Sequence, residues 1–132
     1  MISKAEQQKA FEEVYGALNA EQKLAVDTID GPVMVIAGPG TGKTQILGAR
    51  IGKILLETDT APENILCLTY TDAGAIAMRK RLFEFIGPDA YRVNIHTFHS
   101  FCNDRDSRYL LLSYRYLLLS KKYARFFSLF LY

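Results

Sequence analysis

Long apolar runs are absent from this chain of 132 residues: nowhere do 18 or more uncharged apolar residues follow one another, which excludes a membrane-spanning helix read from sequence. The start, Met1 to Ala10, is polar and charged, so no secretory leader is expected and the cytoplasm is the expected compartment. Cysteine is scarce. Cys67 and Cys102 have no metal-ligand spacing, and they are expected to be reduced thiols without a chemical role. Charge of one sign is also wanting, since a formal net of +2 is too small to announce a nucleic-acid partner by itself. Acid is missing from one end only. Residues 107 to 132 carry five bases and no acid, whereas residues 1 to 106 carry 11 Lys and Arg against 14 Asp and Glu. The length suits one compact domain with a hydrophobic core and is too short for several.

Periodicity supplies the elements. Ala10, Phe11, Val14, Tyr15 and Leu18 recur at spacings of three and four, which predicts an amphipathic helix from Ser3 to Leu18. Asn19-Ala20-Glu21-Gln22 has the form of a capping box opening a second helix to about Asp30. Val33 to Ala37 is an unbroken apolar run, as expected of a strand buried on both faces. Ile46, Leu47, Ile51, Ile54 and Leu55 predict a helix after it. Ile65 to Tyr70 reads as a second strand, Asp72 to Ile86 as another helix, Tyr91 to Ile95 as a third strand, and Thr97 to Cys102 as a helix start. Alternating strands and helices predict an α/β fold with a parallel sheet, whose ligands bind outside the carboxyl ends of the strands.

Between the first strand and its helix stands Ala37-Gly38-Pro39-Gly40-Thr41-Gly42-Lys43-Thr44. It matches G-x-x-x-x-G-K-[ST] except for Ala at the first position. Gly38, Gly40 and Gly42 let the backbone turn several N–H donors toward one anion, and the helix opening at Gly42 adds its positive end. Lys43 reaches the β and γ phosphates, and the Thr44 hydroxyl is placed for Mg²⁺. These features predict a nucleoside triphosphate, ATP with Mg²⁺, as the ligand.

The flanks narrow the family. Leu18-Asn19-Ala20-Glu21-Gln22, Leu68-Thr69-Tyr70-Thr71-Asp72-Ala73 and Ile95-His96-Thr97-Phe98-His99-Ser100-Phe101-Cys102, with the phosphate loop in order among them, resemble the Q motif and motifs Ia and Ib of UvrD/Rep-like superfamily 1 DNA helicases. The resemblance covers about Leu18 to Asn103 and implies a partial RecA-like phosphate-loop NTPase domain, the amino-terminal part of a first motor domain. It implies ATP-dependent 3′ to 5′ unwinding for the whole protein, with Lys43 and Thr44 as the catalytic groups present here. Gln22 then corresponds to the amide that reads adenine; its other reading is a helix cap. Thr69, Tyr70, Thr71, Thr97, Phe98 and His99 correspond to contacts with single-stranded DNA, and Tyr70 offers a flat face on which a base can stack. His99 has a second reading as a structural donor. Asp72 stands where the family commonly has Asn, and is expected to cap the helix that begins there. Arg79-Lys80-Arg81 on that helix reads as a solvated face or a phosphate contact.

Hydrolysis needs a further carboxylate that usually ends an apolar strand as Asp-Glu. After Pro88 the acids are Asp89, Asp104 and Asp106, and none follows such a strand. The expectation is therefore an ATP-binding domain over 1–103, weak single-strand binding, and neither hydrolysis nor unwinding by this chain alone. A non-catalytic nucleotide-binding module and an aberrant truncated product are the alternatives. Residues 104–132 begin a low-complexity tail of doubtful fold, in which Arg108-Tyr109-Leu110-Leu111-Leu112-Ser113-Tyr114 is nearly repeated from Arg115. Arg108, Arg115 and Lys122 also fit one stripe of a basic amphipathic helix.

Overall fold

A computed structural model describes residues 3–30, 33–36, 42–103, 116–121 and 125–130. Helix α1 (Lys4–Gly16) opens on Ser3, whose hydroxyl accepts the Glu6 N–H while the Glu6 carboxylate accepts the Ser3 N–H. Helix α2 (Ala20–Asp27) opens on the predicted capping box: the Gln22 N–H donates to Asn19 Oδ1 and Gln22 Oε1 accepts from the Asn19 N–H, both at 2.9 Å. Strand β1 (Val33–Ile36) leads toward α3 (Lys43–Glu57). A 3₁₀ turn at Pro62–Asn64 precedes β2 (Ile65–Thr69), every residue of which is buried. Helix α4 (Asp72–Ile86), a 3₁₀ turn (Gly87–Tyr91), β3 (Asn94–Thr97) and α5 (Phe98–Asn103) follow.

The third strand begins three residues later than its apolar run predicts. Gly87-Pro88-Asp89-Ala90-Tyr91 continues as a tight turn from the end of α4, and this turn consumes Tyr91 before the chain extends. The tail differs too. Strands β4 (Tyr116–Lys121) and β5 (Arg125–Phe130) enter the sheet, whose order is β1-β5-β4-β2-β3. β2 pairs in parallel with β3 and β4, while β5 is antiparallel to both β4 and β1. Four strands thus share one direction and β5 runs against them, so the α/β sheet is mixed rather than wholly parallel. Aromatic segments suit a pleated surface, and these two strands stand between β1 and β2. A basic helix does not exist over Tyr116–Lys121; Arg108, Arg115 and Lys122 lie outside the described residues.

Alternation along β2 divides the interior. Ile65 and Cys67 join the large core with Phe11, Val26, Ile51, Ile54, Leu82 and Phe85, whereas Leu66 and Leu68 pack on the other face with Phe101 and Phe98. Each fully buried aliphatic side chain there is worth about 1.5–3 kcal/mol. Helix α3 lies at the centre of the main layer, packed on α1, α2 and α4. Its approach to α4 depends on Gly48, where an added Cβ would stand 2.9 Å from Phe85 Cε2. Among the described residues no helix is long and apolar enough to cross a membrane.

Candidate functional site

Because β1, β2 and β3 run the same way, the segments that follow them emerge on one edge of the sheet. Thr69 and Thr97 are register partners, so the turn at Tyr70 and the start of α5 at Phe98 lie side by side. β1 lies three strand spacings from β2 in the sheet order, about 14 Å at 4.8 Å per strand. One edge therefore holds two separated neighbourhoods.

The first is the amino end of α3. Ala37, Gly38, Pro39, Gly40 and Thr41 lie outside the described residues. Gly42 has φ +73°, a left-handed conformation in which an added Cβ is strained. It stands at the cap position of α3, with no side-chain hydrogen bond and no acid in the first turn. The helix then begins with Lys43 and Thr44, both half-buried. The first backbone N–H groups of a helix lack intrahelical partners, and together with the macrodipole they favour an anion. Gln22 stands beside this end: its Nε2 is 3.9 Å from the place a Cβ on Gly42 would take.

The second neighbourhood is the Thr69 and Thr97 pair with its loops. Thr69 is 3% exposed and its hydroxyl donates to the Thr71 carbonyl at 3.1 Å; Thr97 is 8% exposed, and its Oγ1 accepts the Ser100 N–H at 3.0 Å. Both hydroxyls serve the fold. Phe98 is half-buried against the smaller core. Tyr70, 60% exposed, and the exposed Thr71 and His99 are the members turned to solvent.

Asp72 does not cap α4. Thr71 does, its Oγ1 accepting the Gly74 N–H at 3.0 Å, with Asp72 as the first helical residue. The shorter Thr side chain, in extended backbone at φ −124°, sits one residue back, where an acceptor reaches the first turn. Asp72 contributes its charge to the positive helix end instead. Arg79 is not a solvated base, since its Nη1 donates to the Ala90 carbonyl at 2.7 Å and ties α4 to the turn before β3. Burial pushes the Cys67 thiol up to about 12, so it stays protonated and inert.

One residue escaped the sequence reading. Arg50, on α3, is 3% exposed and donates from Nη1 to the Ala25 carbonyl of α2. Its place among Ile46, Leu47, Ile51 and Ile54 on a buried helix was the available signal. Nearby, Lys53 Nζ meets Asp27 at 3.0 Å and Glu57 at 2.9 Å, and the Tyr15 hydroxyl donates to Asp27 at 2.6 Å. Burial opposes ionisation of Asp27, yet the hydrogen bonds from Tyr15 and Lys53 together hold its carboxyl below the ordinary aspartate range. These contacts bind α1, α2 and α3 into one block.

A strand, β1, and a later helix that follows a left-handed Gly42, has no side-chain cap and begins Lys-Thr are suited to holding an anion. Residues 18–115 match the family model of the UvrD/REP helicase N-terminal domain, and the chain belongs to that family. Over 90 residues it is 42% identical to the ATP-dependent DNA helicase PcrA of Bacillus subtilis, a match that covers 68% of this chain and 12% of the relative. PcrA of Staphylococcus epidermidis is 42% identical over 85 residues, and PcrA of Staphylococcus aureus is 41% identical over 85, each match covering 64% of this chain and 12% of the relative. The chain thus spans about an eighth of the length of the curated relatives it matches.

Proposed function

We propose that this chain is a partial RecA-like phosphate-loop domain that binds ATP with Mg²⁺, the nucleotide-binding part of a cytoplasmic ATP-dependent 3′ to 5′ DNA helicase. The observation that carries the reading is the amino end of α3: a left-handed Gly42, no side-chain cap, no acid in the first turn, and Lys43 and Thr44 as its first residues. The triphosphate takes the helix N–H groups as donors, the sequence motif from Ala37 to Thr44 being its binding segment, and Lys43 neutralises the outer phosphates. The Thr44 hydroxyl would help to hold Mg²⁺ beside the nucleotide, where the metal would supply positive charge against the phosphates.

Gln22 reads the base. Its Oε1 already accepts the Asn19 N–H, but a carboxamide oxygen has a second lone pair. That lone pair takes the adenine amino group while Nε2 donates to a ring nitrogen, so capping and base reading coexist. Guanine carries a carbonyl where adenine has the amino group, and the two oxygens would face each other.

Single-stranded DNA binds weakly through exposed Tyr70, Thr71 and His99, with Tyr70 stacking on a base and affinity falling steeply with salt. Thr69, Thr97 and Phe98 support those loops from beneath. Assayed alone, the 132 residues bind ATP without motor-like turnover, since they carry no Asp-Glu strand end; a missing arginine finger alone is worth about 10³ to 10⁵ in rate.

Titration calorimetry of MgATP against wild type and Lys43→Ala tests the reading. Wild type is expected to bind and Lys43→Ala to lose most of that binding; equal affinities would refute it. DNA-stimulated turnover of about one per second or faster in a coupled ATPase assay would refute the non-hydrolytic part.

A further inference from the structure

Helix α2 is two turns long, and a helix so short leaves most of its terminal carbonyls without intrahelical partners. The Leu24 carbonyl accepts from the Thr28 N–H at 3.0 Å and the Asp27 carbonyl from the Ile29 N–H at 3.0 Å. The Ala25 carbonyl accepts from Arg50 of α3. No basic residue stands in the last turn of α2, so the positive charge that suits a helix carboxyl end comes from another helix. A buried guanidinium costs more than a hydrocarbon of the same volume unless it is well bonded, and this one lies at a fixed point between two elements of the candidate site.

The geometry gives that point a consequence. Gln22 is one turn before Ala25 on α2, and Lys43 is seven residues before Arg50 on α3, about 10 Å at 1.5 Å per residue. Helices α2 and α3 thus meet at both ends of one span, with Gln22 Nε2 near Gly42 at one and Arg50 on the Ala25 carbonyl at the other.

We propose that Arg50 is a positioning residue for base selection: by holding the Ala25 carbonyl it sets the distance between the Gln22 amide and the anion-binding end of α3, and so selects a purine nucleotide whose base edge and phosphates match that distance. This rests on the nucleotide-binding reading above. Arg50 acts through α2, by its hydrogen bond to the Ala25 carbonyl.

The test is calorimetry with MgATP, MgGTP and inorganic tripolyphosphate on wild type, Arg50→Met and Arg50→Lys, run below the melting temperature of each. Wild type should prefer ATP over GTP. Arg50→Met keeps the volume but not the donors, and its ATP affinity should fall about tenfold to the GTP level while tripolyphosphate affinity stays within about twofold of wild type. Arg50→Lys, with one shorter prong, should lie between; where Arg50→Met does not fold, this variant decides. A fall of ATP and tripolyphosphate by the same factor makes Arg50 merely structural and overturns the inference. Wild-type preference retained in the folded variants overturns it as well. A wild-type chain that binds none of the three overturns the nucleotide reading and the inference with it.

Discussion

The chain builds the same unit twice, a strand followed by a 15-residue helix, as β1 with α3 and as β2 with α4, and ends the two helices differently. At α4, Thr71 satisfies the Gly74 N–H and Asp72 adds a negative charge to the first turn. At α3, Gly42 contributes no side chain and the first turn holds no acid. One positive helix end is satisfied by its own residues, whereas the other has, among the described residues, neither a side-chain cap nor an acid in its first turn. Three residues separate the two outcomes: Thr71, Asp72 and Ala73 against Gly42, Lys43 and Thr44. A shared fold unit therefore does not imply a shared ligand.

Making α3 resemble α4 gives the largest expected effect. Lys43→Asp removes a charge-assisted partner of about 1.5–3 kcal/mol and adds a repulsive one, so MgATP affinity should fall by about 100-fold or more. The melting temperature should hold or rise, because an acid suits the first turn. Calorimetry beside thermal unfolding checks both. Unchanged affinity would mean that the open end of α3 is not the phosphate site.

Packing between the two helices comes next. Gly48→Ala drives a methyl against the buried Phe85 ring and should cost about 1–3 kcal/mol, read from the urea midpoint. Helix α4 should then respond to its own cap: Thr71→Ala is expected to cost about 1 kcal/mol, and Thr71→Gly only a few tenths. If Asp72→Ala instead cost more than Thr71→Ala, the cap would belong to Asp72.

The smallest effect is titration of the α1–α2–α3 block. The folded pKa of Asp27 is depressed, so its contribution is present above the unfolded pKa, about 3.9, and is lost as pH falls through the lower folded value. Asp27→Asn should flatten the acid limb of the stability curve in that window and leave it unchanged near pH 7, apart from a constant offset. An unaltered acid limb would show that Asp27 keeps its ordinary pKa.

What was legible in sequence was local. The Asn19 to Gln22 capping box formed because both of its hydrogen bonds join residues three apart. The apolar run of β2 was buried throughout, as such a run between helices should be. Two errors were local competitions between neighbours, Thr71 displacing Asp72 as the cap and the Gly87 to Tyr91 turn taking the start of the third strand, while the mixed sheet came from the distant pairing of β5 with β1 and β4. Buried Thr69 and Thr97 were indistinguishable in sequence from exposed Tyr70 and His99, since a motif lists neighbours along the chain and not which of them face the sheet.

Sequence by itself determined the order of elements from α1 to α5, the capping box of α2 and the family, because periodicity and motif spacing are properties of residues a few places apart. Tertiary structure alone decided that Arg50 meets the Ala25 carbonyl 25 residues away, that Gln22 lies beside Gly42, and that β5 stands between β1 and β4. The reason is physical. Each of those pairings depends on which surfaces close on one another when apolar area is buried, and that closure is settled by the whole core at once, not by any window of sequence.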